Sequence, residues 1–236
     1  MSTKYFILSK DHTTDNENDQ IFFINRPTTY ILPQVNMEYY AKNGLFENQL
    51  IEWTKQLLSK DKTILDIGAH TGTYAISLAD SSQHVYCFEP QKMTYYALCG
   101  SVALSNKQNI TCFQTGLGSE NQIGKKTLKI VSNDGGGSSI HATQGIIKEE
   151  EIEIKTLDSY NLDNIGFIKM DVEENELNVL KGATETLIRS NYPKILFESN
   201  HNDITIRDEL FDYLINRLTY RIIPIGGYEN MYLAEK

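Results

Sequence analysis

The chain lacks the features that mark several large classes of protein. No apolar run approaches the ~18 residues of a membrane-spanning helix, so none is expected. Its only cysteines, Cys87, Cys99 and Cys112, are scattered through apolar segments without metal-ligand spacing. They read as small buried hydrophobes in a reducing compartment, and no metal site is expected. Basic residues are outnumbered, 22 Lys and Arg against 31 Asp and Glu, for a formal charge of −9. Nucleic-acid affinity rests mainly on Lys and Arg contacts to phosphate, so a broad nucleic-acid surface is disfavoured. Near the start, Tyr5-Phe6-Ile7-Leu8 is too short for a signal-peptide core and gives way to a polar run from Asp11 to Gln20. The expected compartment is therefore the cytoplasm, which makes Asn109-Ile110-Thr111 an accidental glycosylation match.

What is present is long enough, at 236 residues, to bury one α/β core and short for two. Residues 1–44 read as a small N-terminal extension with short strands at Tyr5 to Leu8 and Ile21 to Ile24. Phe46, Leu50, Trp53 and Leu57 recur at helical spacing. From Thr63 the elements alternate: strand 63–67, helix 72–80, strand 84–89, helix 91–105, strand 110–114. That rhythm predicts parallel strands with crossover helices. It breaks at Lys126 to Val131 and Glu150 to Lys155, an inserted hairpin of about 124–155. Between its strands, Asn133-Asp134-Gly135-Gly136-Gly137-Ser138-Ser139 reads as the hairpin tip, since no P-loop pattern follows the glycines. Strand 165–170, helix 174–189 and strand 194–197 resume the alternation. A helical stripe of Leu210, Phe211, Leu214, Ile215 and Leu218 leads to a terminal hairpin turning at Gly226-Gly227.

The most informative stretch runs from Thr63 to Tyr74 and reads as strand, glycine turn and helix start. Gly68 and Gly72 permit backbone conformations closed to other residues, and N-H groups at a helix start favour a carboxylate or phosphate. On the plainest reading the glycines only make a tight turn. The spacing of Asp66, Gly68 and Gly72 differs from the Gly-x-Gly-x-x-Gly of dinucleotide folds and points to S-adenosylmethionine (SAM) instead of NAD. Asp66 beside those N-H groups can serve the ammonium and carboxylate of the methionine part, with His70 and Thr73 in the same turn. Glu89 ends the next apolar run, where an acid about 20 residues on binds ribose hydroxyls, and Pro90 stops that strand. Further acids follow the later strands, at Asp171, Glu173 and Glu198.

The segment Ile168-Lys169-Met170-Asp171-Val172-Glu173-Glu174-Asn175-Glu176-Leu177, continuing to Leu180-Lys181-Gly182-Ala183, resembles the signature of the FkbM family of SAM-dependent methyltransferases. Thr156-Leu157-Asp158 and Pro193-Lys194-Ile195-Leu196-Phe197-Glu198 fit the same pattern, and the resemblance covers 45–236 as one domain. It implies a Rossmann-like class I sheet with helices on both faces and a seventh, antiparallel strand. It also implies methylation of a hydroxyl oxygen on a sugar or other small molecule. By the same resemblance Glu89 binds the ribose, and Gln114, Thr115, Gly116 and Leu117 flank the adenine. Asp66, Gly68 and Gly72 shape the methionine end, and Glu47 reaches the methionine ammonium. Family members usually carry asparagine at His70 and glycine at Glu174, so Glu174 is expected to add bulk and charge beside the acceptor pocket.

Methyl transfer to an alcohol needs the oxygen aligned and its proton accepted. Asp171 is the first candidate, followed by Glu173 and His201; histidine has the better-matched ordinary pKa, and a carboxylate needs burial to raise its own. His201 reads equally well as a solvated loop residue. The rival readings are an NAD-dependent oxidoreductase, an RNA methyltransferase and a non-catalytic binding or interaction domain. The first lacks the glycine spacing. The second lacks a basic stripe and the Asn-Pro-Pro-Tyr of base amino-group methylation.

Overall fold

The computed structural model describes residues 4–10, 28–199 and 204–236. Strands β1 (Tyr5–Lys10) and β2 (Thr28–Pro33) pair antiparallel, and helices α1 (Met37–Asn43) and α2 (Asn48–Thr54) follow. The expected strand at Ile21 to Ile24 lies outside the described residues; β1 pairs with 28–33. Strand β2 lies along a later helix, α4 (Lys92–Leu104). There the N-H of Ile31 donates to Ser101 Oγ, and the N-H of Thr29 to Ser105 Oγ, both at 2.8 Å. Serine hydroxyls thus satisfy strand N-H groups that would otherwise be buried without partners.

The main sheet contains β3 (Thr63–Ile67), β4 (His84–Phe88), β5 (Ile110–Phe113), β9 (Ile165–Met170), β10 (Lys194–Glu198), β11 (Arg221–Pro224) and β12 (Met231–Glu235). Their spatial order is β5-β4-β3-β9-β10-β12-β11. Strand β12 runs antiparallel to both neighbours, and the other pairings are parallel. This is the Rossmann-like methyltransferase sheet with an antiparallel seventh strand. Every residue of β3 is buried, as expected of a parallel strand covered on both faces. Alternate residues face opposite layers. Ile64, Val85, Cys87, Phe167 and Leu196 pack on the side of α3 (Thr73–Leu78) and α4. Leu65, Ile67, Phe88, Ile168 and Phe197 pack on the side of α5 (Glu176–Lys181), α6 (Thr184–Arg189) and α7 (Ile204–Asp212).

The helix expected over 174–189 is two helices. Gly182 sits so close to another loop that a Cβ there would lie 2.0 Å from the Gly118 carbonyl oxygen, and the break between α5 and α6 lets the chain meet that backbone. The C-terminal helix also departs from the simple pattern. After α7 the turn widens to a π-helix over Tyr213–Arg217, which leaves Leu210, Leu214 and Leu218 buried but Ile215 47% exposed. A second sheet, β6-β8-β7, contains β6 (Gly116–Leu117), β7 (Gly124–Ile130) and β8 (Lys148–Lys155), the last two forming the inserted hairpin. Among the described residues no helix is long and apolar enough to cross a membrane.

Candidate active site

Strand order reverses at β3, whose neighbours β4 and β9 lead to opposite halves of the sheet. Open α/β sheets bind ligands beyond the strand ends at such a point. A cavity of about 420 Å³ lies there, within the range of small-molecule sites. Eleven of the fourteen candidate site residues line it: Glu47, Asp66, Gly68, His70, Thr73, Glu89, Thr115, Gly116, Leu117, Asp171 and Glu173. Three do not. Gln114 is exposed and does not line the cavity. Gly72 faces the packing between α3 and α4: its φ is +88°, and a Cβ there would fall 2.5 Å from Leu98 Cδ1. His201 lies outside the described residues.

Gly68 has φ +78°, and a Cβ on it would lie 1.8 Å from the carbonyl oxygen of Asp171. The first demand on this glycine is therefore the contact between the tips of β3 and β9, which brings Asp171 to the cofactor turn. Asp66 sits inside β3, one residue before its end, and is 2% exposed. Its Oδ2 accepts the Ala75 N-H at 2.9 Å, filling a donor that the first turn of α3 would leave orphaned. Burial pushes its carboxyl up to about 6, against the pull of Lys169 and the Ala75 N-H. Glu89, also buried, accepts the N-H of His70 at 2.9 Å and that of Gln91 at 2.8 Å. Burial raises its carboxyl to about 8 despite both bonds.

Glu47 precedes α2 with a left-handed φ of 53°. Its Oε2 accepts the Tyr74 hydroxyl at 2.7 Å. Lys169, the strand neighbour of Asp66, is buried and lies 3.4 Å from Asp171 Oδ2. Burial opposes its charge, but Asp171, Glu47, Asp66 and Glu198 together hold its pKa above the ordinary lysine value. Tyr74 and Lys169 both line the cavity, and neither is singled out by the motifs of the sequence. The available signal is a lysine inside the apolar run Ile165 to Met170, since lysine is almost never buried without a partner.

The glycine-rich loop connects β7 to β8, but it is not a free tip: residues 134–140 fold back over the cavity. His70 Nε2 donates to the Asp134 carbonyl at 2.8 Å, which fixes that nitrogen as the protonated one. Asn36 Nδ2 donates to Asp134 Oδ2 at 2.8 Å, and the Gly137 N-H to Glu173 Oε1 at 3.0 Å. The N-H groups of Gly135, Gly136, Gly137 and Ser139 are all donated within the chain, so the loop does not offer them as a phosphate cradle. The inserted sheet supplies Leu128, Ile152 and Ile154 to an apolar end shared with Phe88, Pro90 and Leu117. Buried Asn175 ties this wall to the β9 turn, its Nδ2 donating to the Leu117 carbonyl at 3.0 Å.

Glu174 does not itself line the cavity, although its neighbours Glu173 and Asn175 do. What the position demands is backbone conformation: its φ is 74°, after 52° at Glu173. Glycine meets that demand without a Cβ penalty. His70 likewise has φ 50°, a region asparagine tolerates well.

The residues present fit a cofactor with a cationic sulfonium and ammonium at one end and an adenosine at the other. Carboxylates crowd the first end, apolar side chains the second, and Glu89 stands between. Among the described residues no group of three or more His, Cys, Asp or Glu is arranged to hold a metal ion.

Comparison with known proteins agrees with this geometry. Residues 66–222 match the family model described as the methyltransferase FkbM domain. No curated protein matches the chain by sequence. Among solved structures, a methyltransferase FkbM from Methylobacillus flagellatus KT superposes with a TM-score of 0.55 at 20% identity. That match covers 75% of this chain but only 44% of the other. An rRNA methylase from Streptococcus thermophilus gives a TM-score of 0.51 at 13% identity, covering 80% and 95%. A Streptococcus mutans protein solved in complex with SAH gives 0.50 at 11%, covering 80% and 94%.

Proposed function

The chain belongs to the FkbM methyltransferase family, a SAM-dependent class, and from that premise we propose that it methylates a hydroxyl oxygen of a small molecule, a sugar or glycan. The observation that carries the reading is the ring of carboxylates at the tips of β3, β4 and β9, with Lys169 as the lysine among them. Such a site favours a cationic cofactor and a neutral acceptor and disfavours a phosphate-rich one.

When bound, SAM supplies an electrophilic methyl carbon on a sulfur that departs as a neutral thioether. Glu47, held by Tyr74, and Asp66 face the methionine end, and Glu89 accepts from the ribose hydroxyls. Thr115, Gly116 and Leu117, with the inserted sheet, enclose the adenine. Asp171 and Glu173 hold the acceptor hydroxyl in line and take its proton. The loop over residues 134–140 excludes water from the reacting atoms.

Transfer of labelled methyl from SAM to a panel of sugars and glycans, with RNA as comparison, tests the reading. Incorporation into a sugar hydroxyl is expected, and Asp171→Ala should abolish it while the protein stays folded. Preferential incorporation into RNA would overturn the acceptor class, and unchanged turnover in Asp171→Ala would remove that residue from the mechanism.

A further inference from the structure

Asn36, Tyr40, Phe46 and Glu47 line the cavity from a part of the chain that precedes the stretch matching the family model, 66–222. Helix α1 ends at Gly44, whose φ of +77° and open surroundings let the chain turn. The next two side chains then part. Leu45 is buried in the core, whereas Phe46 stays 39% exposed while lining the cavity. A ring that borders both solvent and cavity stands at the rim.

Phe46 is held in place there. Its ring stacks on Tyr39, with centroids 4.1 Å apart and planes at 19°, and meets buried Tyr40 edge-on at 5.0 Å and 70°. Phe6 braces Tyr40 in turn at 5.9 Å. These contacts fix the orientation of the ring, so a ligand using it need not order it first. Polar groups stand on the same wall. Asn36 Nδ2 donates to Asp134 Oδ2, and Asp134 Oδ1 accepts from Ser132 Oγ and the Gly136 N-H. A carboxylate offers about four acceptor positions and an amide nitrogen two hydrogens. Among the described residues, the Asp134 carboxylate accepts those three bonds and the Asn36 amide nitrogen donates one. Gly137, in the same loop as Asp134, donates to Glu173 and ties this wall to the acids at the tip of β9.

We propose that Phe46 is the platform for the acceptor's sugar ring, which lies against it while hydroxyls at the ring's edge bond to the Asn36 amide and the Asp134 carboxylate. This rests on reading the acceptor as a sugar. A pyranose has a face of C-H groups and a rim of hydroxyls, and the negative face of an aromatic ring attracts partly positive C-H hydrogens. An aromatic ring beside one donor and one acceptor complements both features. A lipid tail or an apolar helix laid there would instead bury the remaining amide hydrogen and carboxylate lone pair without partners, which is costly. The exposed aliphatic residues of this segment, Val35 and Met37, do not line the cavity.

NMR titration of the isotope-labelled protein, saturated with SAH, with the methyl glycosides of glucose, galactose, mannose and rhamnose reads binding through amide shifts. Labelled methyl transfer from SAM to the same glycosides reads reaction. A glycoside that binds should shift the amides of Asn36 and Phe46. Phe46→Ala should weaken it about three- to tenfold, the scale of one aromatic contact, and raise KM more than it lowers kcat, with SAM affinity unchanged. Phe46→Tyr keeps the ring and should bind as the wild type does. Phe46→Ala binding the glycoside as tightly as the wild type, or losing SAM along with it, would overturn the platform and leave the sugar reading standing. Should Phe46→Ala fail to fold, Asn36→Ala decides: weakened glycoside binding is expected, and unchanged affinity would overturn the proposal. A wild type that binds SAH but neither binds nor methylates any of the glycosides would remove the sugar acceptor, and the platform with it.

Discussion

Replacing Gly68 by alanine would place a methyl group 1.8 Å from the Asp171 carbonyl oxygen, on a residue whose φ is +78°. Two penalties combine. A left-handed conformation costs an L-residue about 1–2 kcal/mol, and overpacking against a neighbour that cannot rotate away costs about 1–3 kcal/mol more. The sum is about 2–5 kcal/mol, with about 2–4 °C of melting temperature per kcal/mol for a domain of this size, so a fall of about 10 °C is expected. Two other glycines separate the penalties. Gly227 has φ +85° with nothing within 4 Å of where a methyl group would stand, so its alanine variant carries the conformational penalty alone. Gly72 adds contact with Leu98 Cδ1, the end of a side chain that can turn aside, and should fall between. Calorimetric melting of the three variants gives the order directly. Gly68→Ala should also weaken SAM binding, because the β9 tip carrying Asp171 must move, whereas Gly72→Ala should not. A Gly68→Ala protein as stable as Gly227→Ala would refute the contact between strand tips as the reason for this glycine.

Glu174→Gly should stabilise the protein by about 1 kcal/mol, since φ 74° then carries no Cβ penalty; urea unfolding measures it, and a destabilised variant would contradict the conformational explanation. Tyr74→Phe removes the donor to Glu47 Oε2 and should weaken SAM binding roughly tenfold, the scale of a hydrogen bond to a charged group; unchanged affinity would separate Glu47 from the cofactor. Glu89 has a folded-state carboxyl raised to about 8 from an ordinary 4.5. The folded protein therefore holds this proton more tightly, so the contribution is fully present below about 4.5 and is lost as pH rises toward 8. Unfolding free energy of the ligand-free protein should fall across that window, less steeply in Glu89→Gln, and equal slopes would exclude Glu89 as a cause.

The sheet was legible because its strands are buried on both faces and spell nearly continuous apolar runs; Thr63 to Ile67 and Ile165 to Met170 have the observed boundaries. The acids at strand ends were legible for the complementary reason, since a charged residue closing such a run needs a purpose. What the letters do not carry is contact between distant backbones. Gly68 against the Asp171 carbonyl, and Gly182 against that of Gly118, exist only once the sheet is assembled. Tyr74 reads as an ordinary helix residue until the fold sets its hydroxyl against Glu47. The Asp134 to Ser139 loop has turn-forming composition, and only its bonds to His70, Asn36 and Glu173 make it a cover for the cavity. The left-handed backbone at Glu174 is hidden because glutamate does not advertise it.

Isothermal titration of the protein with SAM, and separately with NAD, tests most directly whether the carboxylate-rich cavity is a sulfonium cofactor site. Saturable one-site binding of SAM, displaced by SAH and absent for NAD, is the predicted result. Saturable NAD binding with no heat from SAM would contradict the account.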